Sequence, residues 1–446
     1  MRVNRLFLTL PVALVLFVGV PVSTAPAGGQ AAAVATLSDG IALSAPESVG
    51  FSSDSLKELD TAMQGIVDAK DLAGVVTLVA RHGKVVQHKA YGVQDVATQT
   101  PMRLDTIVRV YSMTKPIAGA AMMMLYEEGK WKPSDPIAKH IPEFANLKVF
   151  NGMDANGQPI LVAPNHPPTM GELMSHNAGF TYGLFGNSPV DKMYQADNPL
   201  DAPSLQAFID KVAKLPLLYQ PGEKWVYSVS VDIQGYLVQK LSGKTFPDFL
   251  RDRIFTPLGM KDSGFLVPEA TLPRVATIYA WDPATKALKG SPHDPEISKM
   301  PGLPSGGGGL YSTAADYFQF AQMMLNGGEL HGKRLLKASS VEMMRTNVLN
   351  DQTLNSKSGI GPVHLSPELG FGYDFAVMRD PAALKSPLGK GTYWWWGIAG
   401  TWFFNDPAND LLFIGMIQRR GGAPGAVNHE DAARSVVYKA LVDPSK

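Results

Sequence analysis

Apolar residues recur at helical spacing from Ser53 to about Ala69, where Leu56, Leu59, Met63, Ile66 and Val67 share one face. The pattern then changes. Val75 to Ala80 and Val85 to Ala90 read as strands, with Arg81-His82-Gly83-Lys84 as the turn of a β-hairpin. A helix carrying Ser112 follows. From about 116 to 295 helical patterns alternate with long loops rich in Pro and Gly, such as NGMDANGQPILVAPNHPP. The spacing predicts helices at Thr169–Ser175, Ser204–Ala213, Ser230–Leu241 and Phe246–Ile254, and strand signals are sparse there. Gly306 to Gly309 read as a flexible turn before a further helix, with Thr313 and Asp316 as its cap and Gly327-Gly328 as its stop. Thr401–Phe404 and Leu411–Ile417 form a second hairpin around residues 405–410, and a last helix spans about His429 to Val442. No internal repeat is visible.

The first and last thirds thus share strands and helices, and the middle is helical. The expected fold class is α/β: an antiparallel sheet flanked by helices, with an inserted mainly helical lobe. The α/β lobe covers about 45–115 and 296–446, and the helical lobe about 116–295. A cleft between two such lobes is a favoured place for a ligand.

Composition narrows the chemistry. The 446 residues carry 40 basic and 40 acidic side chains, so charge points to no nucleic-acid partner and no anionic membrane. There is no Cys, which excludes disulfides, thiol catalysis and thiolate metal sites. The nine His are scattered, without H-E-x-x-H, and no G-x-S-x-G elbow occurs. His176 in SHNAG reads as a structural loop residue. Gly306 to Gly309 lack the lysine of a phosphate loop. No cofactor and no metal are expected. At the N-terminus, Arg2 and Arg5 precede an apolar run from Leu6 to Val22, and small residues follow at Ala25, Ala27 and Ala31 to Ala33. This is the pattern of a secretory signal peptide, so residues 1–33 are read as signal and linker. Pro11 and Pro21 in a run this short argue for cleavage over an uncleaved anchor. The expected location is periplasmic or secreted, without stable membrane association.

Ser112 and Lys115 stand three residues apart in VRVYSMTKPIAGAAMMML, one turn apart on a helix. A serine hydroxyl attacks well only when something takes its proton. A lysine can do so if burial or a nearby charge lowers its proton affinity. S-x-x-K is expected about once by chance in a chain of this length and ordinary composition. A Ser cap beside an exposed Lys explains the tetrad alone equally simply.

The surrounding segments carry more. YSMTKPIAGAAMMMLYEEGK, TMGELMSHNAGFTYG, PGEKWVYSVSVDIQGYLVQKLSG, GGGGLYSTAADYFQFAQMMLNGG and WWWGIAGTWFFNDP resemble, in order, the signatures of the serine β-lactamase and penicillin-binding-protein superfamily. They are most similar to its class C β-lactamase-like carboxylesterases (esterase family VIII), over residues 45–446. The resemblance implies that Ser112 is the nucleophile, that Lys115 holds or accepts its proton, and that Tyr227 protonates the leaving group. A phenol beside a lysine cation can come into the range useful for base chemistry. It also implies that Trp395, Trp396 and Gly397 line the edge strand facing the serine. The backbone N–H groups of Ser112 and Ile398 would then form an oxyanion hole, and Gly397 would let the acyl group approach closely.

Two departures from the lactam-cleaving members matter. Trp395 and Trp396 stand where those members usually place a cation and a hydroxyl that bind the substrate carboxylate. Val229 stands where they usually place Asn. Both changes point to neutral, apolar esters, with Phe180, Tyr182, Phe371 and Tyr373 as further aromatic walls or as core. The expected function is an exported serine hydrolase acting on small-molecule esters through an acyl-enzyme. The alternatives are a β-lactamase or D-Ala-D-Ala carboxypeptidase, and a non-catalytic homologue that binds cell-wall peptide.

Overall fold

An eight-stranded antiparallel sheet, built from both ends of the chain, organises the protein. The computed structural model describes residues 40–291, 294–355, 361 and 363–446, and the expected signal segment 1–33 lies outside them. Helix α1 (Ser53–Asp68) starts where the periodicity places it, with Ser52 Oγ accepting the Ser55 N–H. The first hairpin follows as β1 (Gly74–Arg81) and β2 (Lys84–Asp95). It turns through His82 and Gly83, both at positive φ, as a tight two-residue hairpin requires. The short β3 (Thr100–Pro101) closes that edge.

Helix α2 (Thr114–Glu127) runs through the core and is buried on nearly every side. The α-helix does not begin at Ser112: Tyr111–Met113 form one 3-10 turn, and Thr114 is the first α-helical residue. The middle of the chain contains α3 (Ser230–Ser242) and shorter helices at Met170–Met174, Leu205–Val212 and Phe246–Leu250, close to expectation. The helix expected to reach Ile254 changes to a π turn at Arg251–Phe255. Several hairpins went unrecognised in the sequence, two of them in the middle of the chain. Val149–Met153 pairs with Pro159–Val162 inside the loop NGMDANGQPILV, and Ile278–Asp282 pairs with Ala287–Ser291. Their outer strands are largely exposed, so they lack the buried alternating face that marks a strand.

Helix α4 (Ala314–Leu325) is capped by Thr313 Oγ1, which accepts the Asp316 N–H. Beyond it lie β4 (Leu369–Phe371), β5 (Ala376–Met378), β6 (Tyr393–Trp396), β7 (Trp402–Asp406), β8 (Leu411–Met416) and α5 (His429–Ala440). The strand order is β4-β5-β6-β7-β8-β1-β2-β3, with Val76 opposite Met416 and Ala80 opposite Leu412. Alternation along the central strands divides the core. Val75, Val79, Leu411 and Phe413 join the layer under α1 and α5, whereas Val76, Leu78, Leu412 and Ile414 join the larger layer holding α2 and α4. Both faces are covered, which is why β1 and β8 read as unbroken apolar runs. Among the described residues no helix is long and apolar enough to cross a membrane.

Candidate active site

The Ser112 turn is fixed from both directions. Before it, Val108 and Arg109 pair with Ser312 and Tyr311. After it, Tyr317 Oη of α4 donates to Met113 O (2.9 Å), and Thr114 Oγ1 accepts the Leu310 N–H (3.1 Å). Tyr111 sits at φ 44, a left-handed conformation a bulky side chain adopts only when its surroundings impose it. Ser112 itself is half-buried.

Lys115, on the first turn of α2, is buried. Its Nζ donates to Ser112 Oγ at 3.2 Å and to Gly307 O at 2.6 Å. Rings of Tyr227 and Tyr182 lie 4.5 and 5.3 Å from it, centroid to nitrogen. Burial pushes its amine down to about 8, against an opposing pull led by Asp232. About a tenth of the amine is thus unprotonated at neutral pH, where an ordinary lysine is almost wholly charged. Activity that depends on the free amine is expected to rise with pH up to about 8 and then level off. A pH profile of kcat/KM, corrected for spontaneous hydrolysis, measures this; a limb near pH 6 or 10 would assign the titration elsewhere.

Tyr227, just before α3, is buried, with its ring on Lys115. Burial pushes the phenol above its ordinary range, and contacts with Ser112 and Trp395 pull the other way without compensating. The expectation that the lysine brings this tyrosine into the range of base chemistry is therefore corrected: burial outweighs the hydrogen bonds of Ser112 and Trp395 and favours the neutral phenol. Trp395 Nε1–H donates to Tyr227 Oη at 3.2 Å. The expected edge strand is interior, because β6 pairs with both β5 and β7; at the place of the usual cation it offers the tyrosine an uncharged donor, and Trp396 stacks behind it, half-exposed, at 4.8 Å between centroids.

The strand end beside Ser112 is close-packed. A Cβ on Gly397 would fall 2.4 Å from Val110 O, so the serine turn itself requires a glycine here. Thr401 Oγ1 donates to the same Val110 carbonyl at 3.1 Å. Among the described residues the N–H groups of Ser112 and Ile398 make no backbone hydrogen bond. Val229 is buried and caps α3 through its carbonyl, which accepts from Asp232 and Ile233. His176 is buried with Nδ1 at 3.1 Å from Ser228 Oγ, and burial keeps its imidazole neutral. Phe371 packs on Trp395 and Trp225; Phe180 and Tyr373 are buried in the same core layer.

Sequence reasoning missed three groups. Gly307, read as part of a flexible turn, supplies the carbonyl that holds Lys115, and its loop is tightly packed: a Cβ on Gly306 would meet Val231 O at 2.3 Å. Asp232 receives Ser305 Oγ–H at 2.5 Å, Gly307 N–H at 3.0 Å and Tyr182 Oη–H at 3.3 Å. Asp374 is the third, buried and also in the field of Lys115. Asp232 lies five residues after Tyr227 in a helical stretch, a visible signal; nothing local marks the others. Among the described residues no group of His, Asp and Glu could hold a metal ion.

Comparison with known proteins agrees with this architecture. The Beta-lactamase family model matches residues 59–438. A Mycobacterium tuberculosis protein is 34% identical over 364 residues, covering 80% of this chain and 88% of the relative. The esterase EstB of Burkholderia gladioli is 29% identical over 374 residues, covering 80% and 88%. Among solved structures, EstCE1, a hydrolase with promiscuous acyltransferase activity, aligns with a TM-score of 0.71 at 24% identity over 86% of this chain and 98% of its own. Simvastatin synthase from Aspergillus terreus aligns with a TM-score of 0.75 at 19% identity over 87% and 96%.

Proposed function

The chain belongs to the beta-lactamase family, and on that premise we propose that it is an exported serine hydrolase cleaving neutral carboxylic esters through an acyl-enzyme on Ser112. The observation that carries the reading is the buried Lys115 amine, 3.2 Å from the Ser112 hydroxyl. Its unprotonated form takes the Ser112 proton as Oγ attacks the ester carbonyl. The N–H groups of Ser112 and Ile398 receive the oxyanion, which costs little reorganisation because neither is committed to a backbone carbonyl. Tyr227, neutral and held by the Trp395 N–H, gives its proton to the leaving alcohol and is resupplied from Lys115. The same groups then draw a proton from the water that releases the acid.

The apolar rim supports ester over lactam substrates. Leu184 is 66% exposed, Phe185 41% and Ile398 56%, and Phe185 packs against Tyr227 at 5.6 Å between ring centroids. Trp395 and Trp396 add no charge to receive a carboxylate. Relatives named as esterases, EstB and the lovastatin esterase of Penicillium rubens, fit that preference. Turnover of p-nitrophenyl butyrate and nitrocefin, measured side by side, tests it. The ester is expected to be cleaved at least about a hundredfold more efficiently, a difference of nearly 3 kcal/mol in transition-state binding. Fast lactam cleavage with the ester untouched would reverse the assignment.

Export rests on the N-terminal charge and apolar pattern. Expressed with its own N-terminus, the secreted protein is expected to begin between about residues 26 and 34 by mass spectrometry. A chain retaining Met1 in the membrane fraction would show an anchor.

A further inference from the structure

Three ionisable side chains meet in the interior behind Ser112: Lys115 on α2, Asp232 on α3, and Asp374 in the turn between β4 and β5, each buried. The neutral groups facing them are Tyr182, Tyr227 and His176. If both acids were ionised, this interior would hold a net negative charge even with Lys115 protonated, at a heavy desolvation cost. The hydrogen bonds distinguish the acids. Asp232 has three donors, from Ser305, Gly307 and Tyr182. Asp374 has one, Gln234 Nε2 at 3.3 Å, while its Oδ2 finds no partner among the described residues. That oxygen faces α2 one turn beyond Lys115, where a Cβ on Gly119 would come within 2.5 Å of it. A carboxylate needs donors; a neutral acid tolerates their scarcity far better.

We propose that Asp232 is a positioning residue for Lys115, carried as the anion of this cluster, whereas Asp374 is carried as a neutral acid. Asp232 acts in two ways. Its Oδ1 accepts the Gly307 N–H while the carbonyl of the same residue accepts from Lys115 Nζ, so one glycine ties the carboxylate to the amine. Its charge also holds back the fall in the amine's proton affinity that burial imposes. Without that charge Lys115 would be a weaker base when Ser112 attacks. This rests on the reading of Lys115 as the base, but it can be measured without any substrate.

The experiment is a pH titration by NMR of the full chain labelled with ¹³C-lysine, the Lys115 signal being identified by its loss in Lys115→Arg. In Asp232→Asn, which keeps an acceptor for Gly307 but removes the charge, the Lys115 midpoint is expected to move down by about one pH unit or more. The acid limb of the pH–kcat/KM profile should follow it. Asp374→Asn exchanges one neutral group for another and is expected to leave the midpoint within about 0.3 unit. An unmoved midpoint in Asp232→Asn, or a downward shift in Asp374→Asn, overturns the proposal. If Asp232→Asn does not fold, the Asp374→Asn titration still decides where the charge resides. A chain inactive on esters but showing these shifts would sink the functional reading alone.

Discussion

Ser112→Ala is expected to abolish p-nitrophenyl butyrate hydrolysis, with a loss on the order of 10⁴- to 10⁶-fold, the scale seen when a nucleophile acting within a catalytic unit is removed. The side chain is small and half-buried, and its hydroxyl accepts from Lys115. Alanine leaves almost no cavity there and does not touch the ladders at Val108 and Arg109 that hold the turn. Stability should therefore change by less than about 1 kcal/mol, which separates lost chemistry from lost fold. Two measurements belong together. Initial rates give the loss, and intact mass after exposure to a fluorophosphonate shows whether the covalent adduct disappears with it. A variant that still turns over at a hundredth of the parent rate would place the nucleophile elsewhere.

Lys115→Met is expected to cost on the order of 10³- to 10⁵-fold in kcat/KM, because the hydroxyl then has no base within reach. Methionine fills a similar volume, so the site should keep its shape. Lys115→Arg is the sharper comparison. Guanidinium keeps the positive charge but cannot become neutral in a protein, so it cannot accept the serine proton. It should be as inactive as methionine if proton transfer is the role. Steady-state rates for both variants, with circular dichroism to confirm folding, check this. Recovery of activity in Lys115→Arg to within tenfold of the parent would mean that charge alone suffices.

The outer frame of the molecule was legible because burial leaves a periodic trace. The α1 face from Leu56 to Ile66, the β1–β2 hairpin and the Thr313 cap all follow from spacing and local hydrogen bonding. The hairpins at 149–162 and 278–291 left no such trace, since their outer strands bury little. Ser112 and Lys115 were visible as a tetrad, and ordered resemblance to known segments brought Tyr227 and Trp395 beside them. The rest of the site was hidden for different reasons. The hold on Lys115 comes from the Gly307 carbonyl, which every residue type possesses and no letter announces. Asp374 reaches the amine through folding alone, from a left-handed turn far along the chain. The direction of the Tyr227 shift needed a balance between burial and the hydrogen bonds of Ser112 and Trp395, which only packing decides.

The sheet register also constrains how the molecule can be made. β1 lies between β2 and β8, and its partner on the second side runs from Leu411 to Met416, far along the chain from the first hairpin. While the ribosome is still working through the middle of the message, the first hairpin has a bare edge that no native segment yet exists to cover. Completion of the central ladder is thus a long-range closure, entropically slow, that waits for a segment made long after the first hairpin.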